Sequence, residues 1–96
     1  MPLYVLLGKF TKKRMETIEQ IPTNIEEGRK AFKSFGVEIK QLIFTMGQYD
    51  LVAIFEAPDD ETMSRATLSW GRRGFLETET LRGFTPEQMV ELVKDI

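Results

Sequence analysis

The chain opens on an apolar run, Leu3-Tyr4-Val5-Leu6-Leu7-Gly8-Lys9-Phe10. In an extended strand Leu3, Val5 and Leu7 fall on one side, and Tyr4, Leu6 and Phe10 on the other. Bulky apolar residues on both parities predict a central strand covered on two faces. Residues 11–35 then change to helical spacing with a break. Thr11 is the N-cap, and Met15 and Ile18 lie three apart on one helix face. Pro22 interrupts, because it lacks an N–H and its ring clashes with the preceding turn. A second helical stripe follows through Ile25, Phe32 and Phe35, with Gly28 between them and Gly36 as the terminating residue.

Residues 37–46 predict a second strand. Val37 and Ile39 alternate with Glu38 and Lys40, and the apolar parity then changes to Leu42, Phe44 and Met46. A β-bulge near Gln41, or cover on both sides of the distal half, reconciles the two parities. Met46-Gly47-Gln48-Tyr49 predicts a tight two-residue turn with Gly47 at its first central position. Residues 50–57 form the third strand, with Leu51, Ala53 and Phe55 on one side and Val52 and Ile54 on the other. Asp59 then caps a helix whose inner stripe is Met63, Ala66 and Trp70, joined by Thr67. Gly71 or Gly74 ends it, beside Arg72 and Arg73. Residues 75–84 read as a fourth, more polar strand with Glu77 and Glu79, which suits a sheet edge. Thr85-Pro86-Glu87-Gln88 starts a C-terminal helix carrying Met89, Val90 and Val93, with Thr as N-cap and Gln at N3.

The order β-α-β-β-α-β plus a terminal helix predicts an α+β, ferredoxin-like fold. It has a four-stranded antiparallel sheet, order 4-1-3-2, and both main helices on one face. Right-handed crossovers place the two most apolar strands, the first and third, at the centre. Two helices cover one face only, so the other face exposes more apolar side chain than a monomer usually tolerates. A second copy using the same patch buries it in the simplest closed arrangement. The alternative is a monomer whose C-terminal helix folds over that face.

Composition narrows the chemistry. At 96 residues the chain is one domain, 1–96, without repeats or linkers. It has no histidine and no cysteine, which removes imidazole and thiolate mechanisms and the metal and haem sites built on those ligands. A net charge of −2 offers no footprint for nucleic acid. No segment is apolar enough to span a bilayer, and the start lacks a basic leader, so a cytoplasmic protein is expected. No metal or cofactor is implied.

The polar residues left over define the candidate ligand-binding set: Lys9, Tyr49, Asp50, Thr78, Thr80 and Arg82. Tyr49 could donate its phenol to a ligand and Asp50 accept from one; equally, Asp50 could satisfy turn amides and Tyr49 pack its ring. Lys9 interrupts the first strand and needs a partner, a ligand anion or a wet strand end, with Glu56 on a flanking strand able to balance it. Thr78, Thr80 and Arg82 share one parity and make a polar wall. Asp59, Asp60 and Glu61 read as helix-capping acids rather than metal ligands.

Four segments carry a resemblance. Thr45-Met46-Gly47-Gln48-Tyr49-Asp50-Leu51-Val52, the opening Met1–Thr11, Glu56-Ala57-Pro58-Asp59-Asp60-Glu61 and Thr78–Thr85 together resemble the GYD-domain family, within the dimeric α/β-barrel superfamily. Gly83 stands where the family pattern leads to Ala. The resemblance covers nearly the whole chain and implies the fold and a homodimeric α/β barrel. The superfamily includes cofactor-free monooxygenases, isomerases, haem-handling enzymes and ligand-sensing domains, among which fold analogy does not choose. The reading preferred from the sequence is a homodimeric module holding a small, partly apolar ligand between sheet and helices or near the dimer seam, with no catalytic residue assigned. The alternatives are a cofactor-independent monooxygenase- or isomerase-like enzyme, with Tyr49, Asp50 and Arg82 orienting the substrate, and a structural or interaction subunit.

Overall fold

Alternation along β1 (Leu3–Phe10) sorts its side chains between two unlike environments. In the computed structural model, which describes residues 1–96, Tyr4, Leu6 and Gly8 are buried while Leu3, Val5 and Leu7 are half-buried. β1 pairs antiparallel with β3 (Leu51–Glu56) on one side and with β4 (Leu76–Gly83) on the other. β2 (Glu38–Phe44) adds beyond β3, also antiparallel. The order β2-β3-β1-β4 is the order predicted from the sequence, read from the opposite edge.

One face of the sheet carries α2 (Ile21–Ser34) and α3 (Asp60–Gly71). Leu6, Ala53 and Phe55 of the central strands meet Phe32 of α2 and Met63 and Ala66 of α3 in a single buried cluster. Phe32 and Phe55 stack with ring centroids 4.8 Å apart. The predicted bulge is present: the β2–β3 register shifts between Ile39 and Gln41. The shift keeps Ile39, Leu42 and Phe44 opposite Phe55, Ala53 and Leu51, so both halves of β2 present apolar residues to the helices. Lys40, the extra residue, lies 3.8 Å from Glu56.

Local differences from the sequence reading have plain causes. The 11–35 region divides into α1 (Lys12–Glu16), a 3-10 turn (Ile18–Gln20) and α2, and Pro22 sits in the first turn of α2, where its missing N–H costs nothing. Met15 and Ile18 are exposed, and the inward residue of α1 is Arg14. The β2–β3 connection is wider than a two-residue turn. Thr45 N–H donates to Asp50 O at 2.9 Å, and the Thr45 hydroxyl donates to Tyr49 O at 2.7 Å. Asp50 is drawn out of the turn toward β1, its N–H donating to Gly8 O at 2.8 Å. Gly47 has φ 113°, a conformation that suits glycine.

The helix caps follow the sequence. Asp59 accepts from the Thr62 N–H at 2.8 Å, and that backbone bond holds its carboxyl below the ordinary value. Thr85 and Gln88 form a reciprocal capping box at the start of α4 (Pro86–Leu92). α4 does not fold over the open sheet face: residues 86–96 are all exposed, and the helix has no substantial packing with any other element. No helix is long and apolar enough to cross a membrane.

Candidate functional site

Three surfaces collect the chemistry. The first is a partly open cavity of about 80 Å³ between the helices and the sheet. Its walls are mainly apolar and aromatic, with Phe10, Phe44, Phe75 and Trp70 around it. Gly28 of α2 lines it too, and a Cβ there would stand 3.3 Å from the Trp70 ring. Arg14 is the one charged residue in the wall and is only 4% exposed. Thr11 places it: the Thr11 side chain caps α1 by accepting from Arg14 N–H at 3.2 Å, which turns the arginine inward. Its guanidinium lies over the Phe75 ring at 4.0 Å. Nη2 donates to Asn24 Oδ1 at 2.8 Å and Nη1 to Thr17 O at 3.3 Å. Burial pulls its pKa down from the ordinary arginine value, yet a guanidinium keeps its proton in proteins.

The second surface is a groove of about 230 Å³ between α3 and β4. Tyr4 rises from β1 into it and donates to Asp60 Oδ1 at 2.5 Å. Desolvation, then the hydrogen bond to Asp60 and its negative charge, push the phenol up to about 12. The Arg82 guanidinium lies 5.6 Å from the Tyr4 ring and 4.7 Å from Phe84, and donates to Gly83 O. The third surface is the helix-free sheet face. Leu3, Val5 and Leu7 of β1, Val52 and Ile54 of β3, Ile43 of β2 and Leu81 of β4 lie on it. Lys9 and Glu77 oppose each other at one end, while Glu56 and Lys40 stand at the other.

The structure disperses the candidate residues over these surfaces. Thr78 lines the cavity, and Thr80 and Arg82 line the groove. Lys9 lies on the helix-free side with Nζ 5.7 Å from the Tyr49 ring centroid. Asp50 is committed to backbone: its Oδ2 accepts from Phe10 N–H at 2.8 Å. Two further residues belong to these surfaces without standing out in the sequence. Arg14 lies in a five-residue helix separated from α2 by a 3-10 turn, so no stripe in the sequence marks it as the inward residue. Tyr4 reads as a strand former, and nothing local announces that Asp60, 56 residues on, receives its hydroxyl. No group of three or more Asp or Glu side chains is disposed to hold a metal ion.

A four-stranded antiparallel sheet of order 2-3-1-4 with two helices on one face defines an α+β domain of the ferredoxin-like class. Within that class the chain belongs to the GYD domain family, whose model matches residues 4–93. A relative from Thermus thermophilus, the "Glutamine synthetase and cystathionine beta-lyase binding protein", is 30% identical over 95 residues, 98% of this chain and 100% of the relative. Among solved structures, FFRP-DM1 superposes with a TM-score of 0.57 at 14% identity, over 88% of this chain and 100% of that one. TTHA0845, also from Thermus thermophilus, gives a TM-score of 0.54 at 22% identity, over 88% of this chain and 95% of that one. At those identities the structural likeness shows the fold alone.

Proposed function

We propose that the protein is a homodimeric binding module that holds a small, partly apolar ligand in the cavity between α2, α3 and the sheet, with no catalytic chemistry of its own. The observation that carries this reading is the cavity itself: a preformed, mainly apolar concavity whose wall includes Arg14, Asn24, Thr67 and Thr78. Thr78 contributes a hydroxyl to its wall. Thr80 and Arg82 extend the polar surface into the neighbouring groove. Dimerisation through the helix-free face leaves both concavities accessible, since they lie on the other side of the sheet. Thermal melting against a panel of small metabolites tests the reading. Compounds with an apolar body and one polar head should raise Tm in proportion to the logarithm of concentration. A panel in which nothing raises Tm contradicts it.

The dimer is supported by the size and pattern of the open face. Four strands spaced ~4.8 Å apart and six to eight residues long give a footprint of ~500 Å² per copy. Two such footprints reach the ~1,000 Å² a specific interface needs. The apolar residues occupy the central strands, while the charges lie around them: Lys9 and Glu77 at one end, Glu56 and Lys40 at the other, and Glu79 on the edge strand β4. α4 has its apolar residues Met89, Val90 and Val93 in solvent and would add area from each copy.

A second reading is that the dimer docks onto a larger enzyme. The name of the Thermus relative, which aligns over its full length, favours this. Sedimentation of the purified protein mixed with glutamine synthetase and with cystathionine beta-lyase from the same organism tests it. Co-migration with either supports docking, and independent migration contradicts it.

A further inference from the structure

We propose that the cavity selects a small aromatic monocarboxylate, whose ring enters among Phe10, Phe75 and Trp70 and whose carboxylate is received by Arg14. The inference rests on the ligand-binding reading above and deepens it. It starts from a charge without a counter-charge. Arg14 is buried, yet no Asp or Glu pairs with it; none of the protein's salt bridges includes it. A guanidinium offers five N–H donors in a planar fork. Only a carbonyl and an amide oxygen accept from this one, Thr17 O and Asn24 Oδ1, so donors remain free beside the cavity. Burying a cation without an anionic partner is costly, and a carboxylate is the group that fits the fork in two parallel bonds.

The surrounding groups keep the site positive. Asn24 also donates to Glu27 Oε2, so Glu27 is the acid nearest in the hydrogen-bond chain. Glu27 is already held by Arg73 Nη1 at 2.6 Å, which draws its carboxyl below the ordinary value. The Arg73 guanidinium lies over Trp70 at 4.4 Å, and Lys13 Nζ stands 5.1 Å from the Phe75 ring centroid and donates to Arg73 O at 2.7 Å. Lys13 and Arg73 thus stand against two rings of the cavity wall, Phe75 and Trp70, with Glu27 offsetting the charge of Arg73 and leaving Arg14 without an acid. The walls specify the rest of the ligand. Phe10 and Phe44 meet at 6.4 Å between centroids, and so do Phe32 and Trp70, and all four residues line the space. Aromatic partners prefer such offset and tilted geometries.

Trp70 is the protein's only tryptophan and stands in the cavity wall, so its emission reports occupancy. The test titrates the protein with phenylacetate, with 2-phenylethanol, which has the same body and a neutral head, and with phenethylammonium, whose head has the opposite charge. Phenylacetate should change Trp70 emission saturably. The alcohol should bind at least about tenfold more weakly, and the ammonium compound more weakly still, as expected where one charge-assisted bidentate contact is lost. Arg14→Gln should bring phenylacetate down to the level of the alcohol and leave the alcohol unchanged, with Arg14→Lys in between. The comparison of acid with alcohol in the parent protein stands even if the variants fold poorly. Equal affinity for acid and alcohol overturns the carboxylate assignment while the binding reading survives. No response to any of the three overturns the carboxylate assignment too, and a silent metabolite panel alongside it removes the binding reading as well.

Discussion

Val5 and Ile54 stand opposite each other across the β1–β3 ladder, at the middle of the sheet face that no helix covers. Leu81 flanks Val5 from β4, and Gln41 flanks Ile54 from β2. In an isolated chain both side chains would remain half in water. In a monomer a charged residue at either position still reaches solvent, at a smaller cost than in a sealed interface. Buried against a second copy, the same charge has no partner.

Ile54→Asp separates the two situations. The dimer should weaken by at least about a hundredfold, corresponding to roughly 2.8 kcal/mol. Far-UV circular dichroism of the separated variant should retain the parent's secondary structure. Sedimentation velocity over a concentration series measures the change, and an unchanged association constant contradicts the assignment of this face.

Asp50 ties the β2–β3 connection to the end of β1 through the Phe10 N–H. Asp50→Ala leaves that amide without an acceptor and should lower stability by about 1–2 kcal/mol. Asp50→Asn keeps an acceptor oxygen and should lose less. Urea unfolding of the pair checks the order. A variant with parent-like stability but no ligand-induced melting shift would instead give Asp50 a ligand role.

Tyr4 makes stability depend on alkaline pH. Its unfolded phenol ionises near 10.0, and its folded one is pushed up to about 12 by burial and by Asp60. The native state therefore holds the proton where the unfolded chain releases it. The contribution is complete below pH 10.0 and is lost as pH rises from there to about 12. The ring is buried but the hydroxyl reaches the open groove, so solvent screening keeps the effect modest. Urea midpoints of the parent and Tyr4→Phe should converge over that interval, and parallel curves would contradict the assignment.

Gly28 and Trp70 set the width of the cavity. Ala at position 28 gains helix propensity worth about 1 kcal/mol and crowds the indole, so Gly28→Ala should stay within about 1 kcal/mol of the parent. Gly28→Val adds bulk that the ring must yield to and should destabilise by about 1–3 kcal/mol. It should also shift Trp70 emission, since the added methyls meet that ring first. Equal stability for Gly28→Val with unchanged emission would contradict the close approach.

Where one periodicity dominates, local pattern is sufficient. The two-sided apolar pattern of β1 and β3 puts them at the sheet centre, and the parity change between Ile39 and Leu42 announces the bulge. The Thr85 capping box is legible because its partners are three residues apart. The 11–20 stretch is less so. Its helix runs only from Lys12 to Glu16, too short for a stripe to show, and the buried position is taken by Arg14 where Met15 and Ile18 look more apolar. Tertiary context decides there, since Phe75 and Asn24 supply the stacking and the oxygen that make a cation tolerable inside. The candidate residues Lys9 and Arg82 both carry a positive charge, yet their strand parities send them to opposite faces of the sheet. The Tyr4–Asp60 contact joins a strand to a helix start across 56 residues, a distance no local pattern encodes.

Analytical ultracentrifugation at micromolar concentration tests the central claim most directly. A chain of 11.1 kDa that seals its bare sheet against a twin should sediment as a particle of twice that mass, moving toward the single-chain mass only on further dilution. A folded, soluble species of 11.1 kDa at micromolar concentration would contradict it.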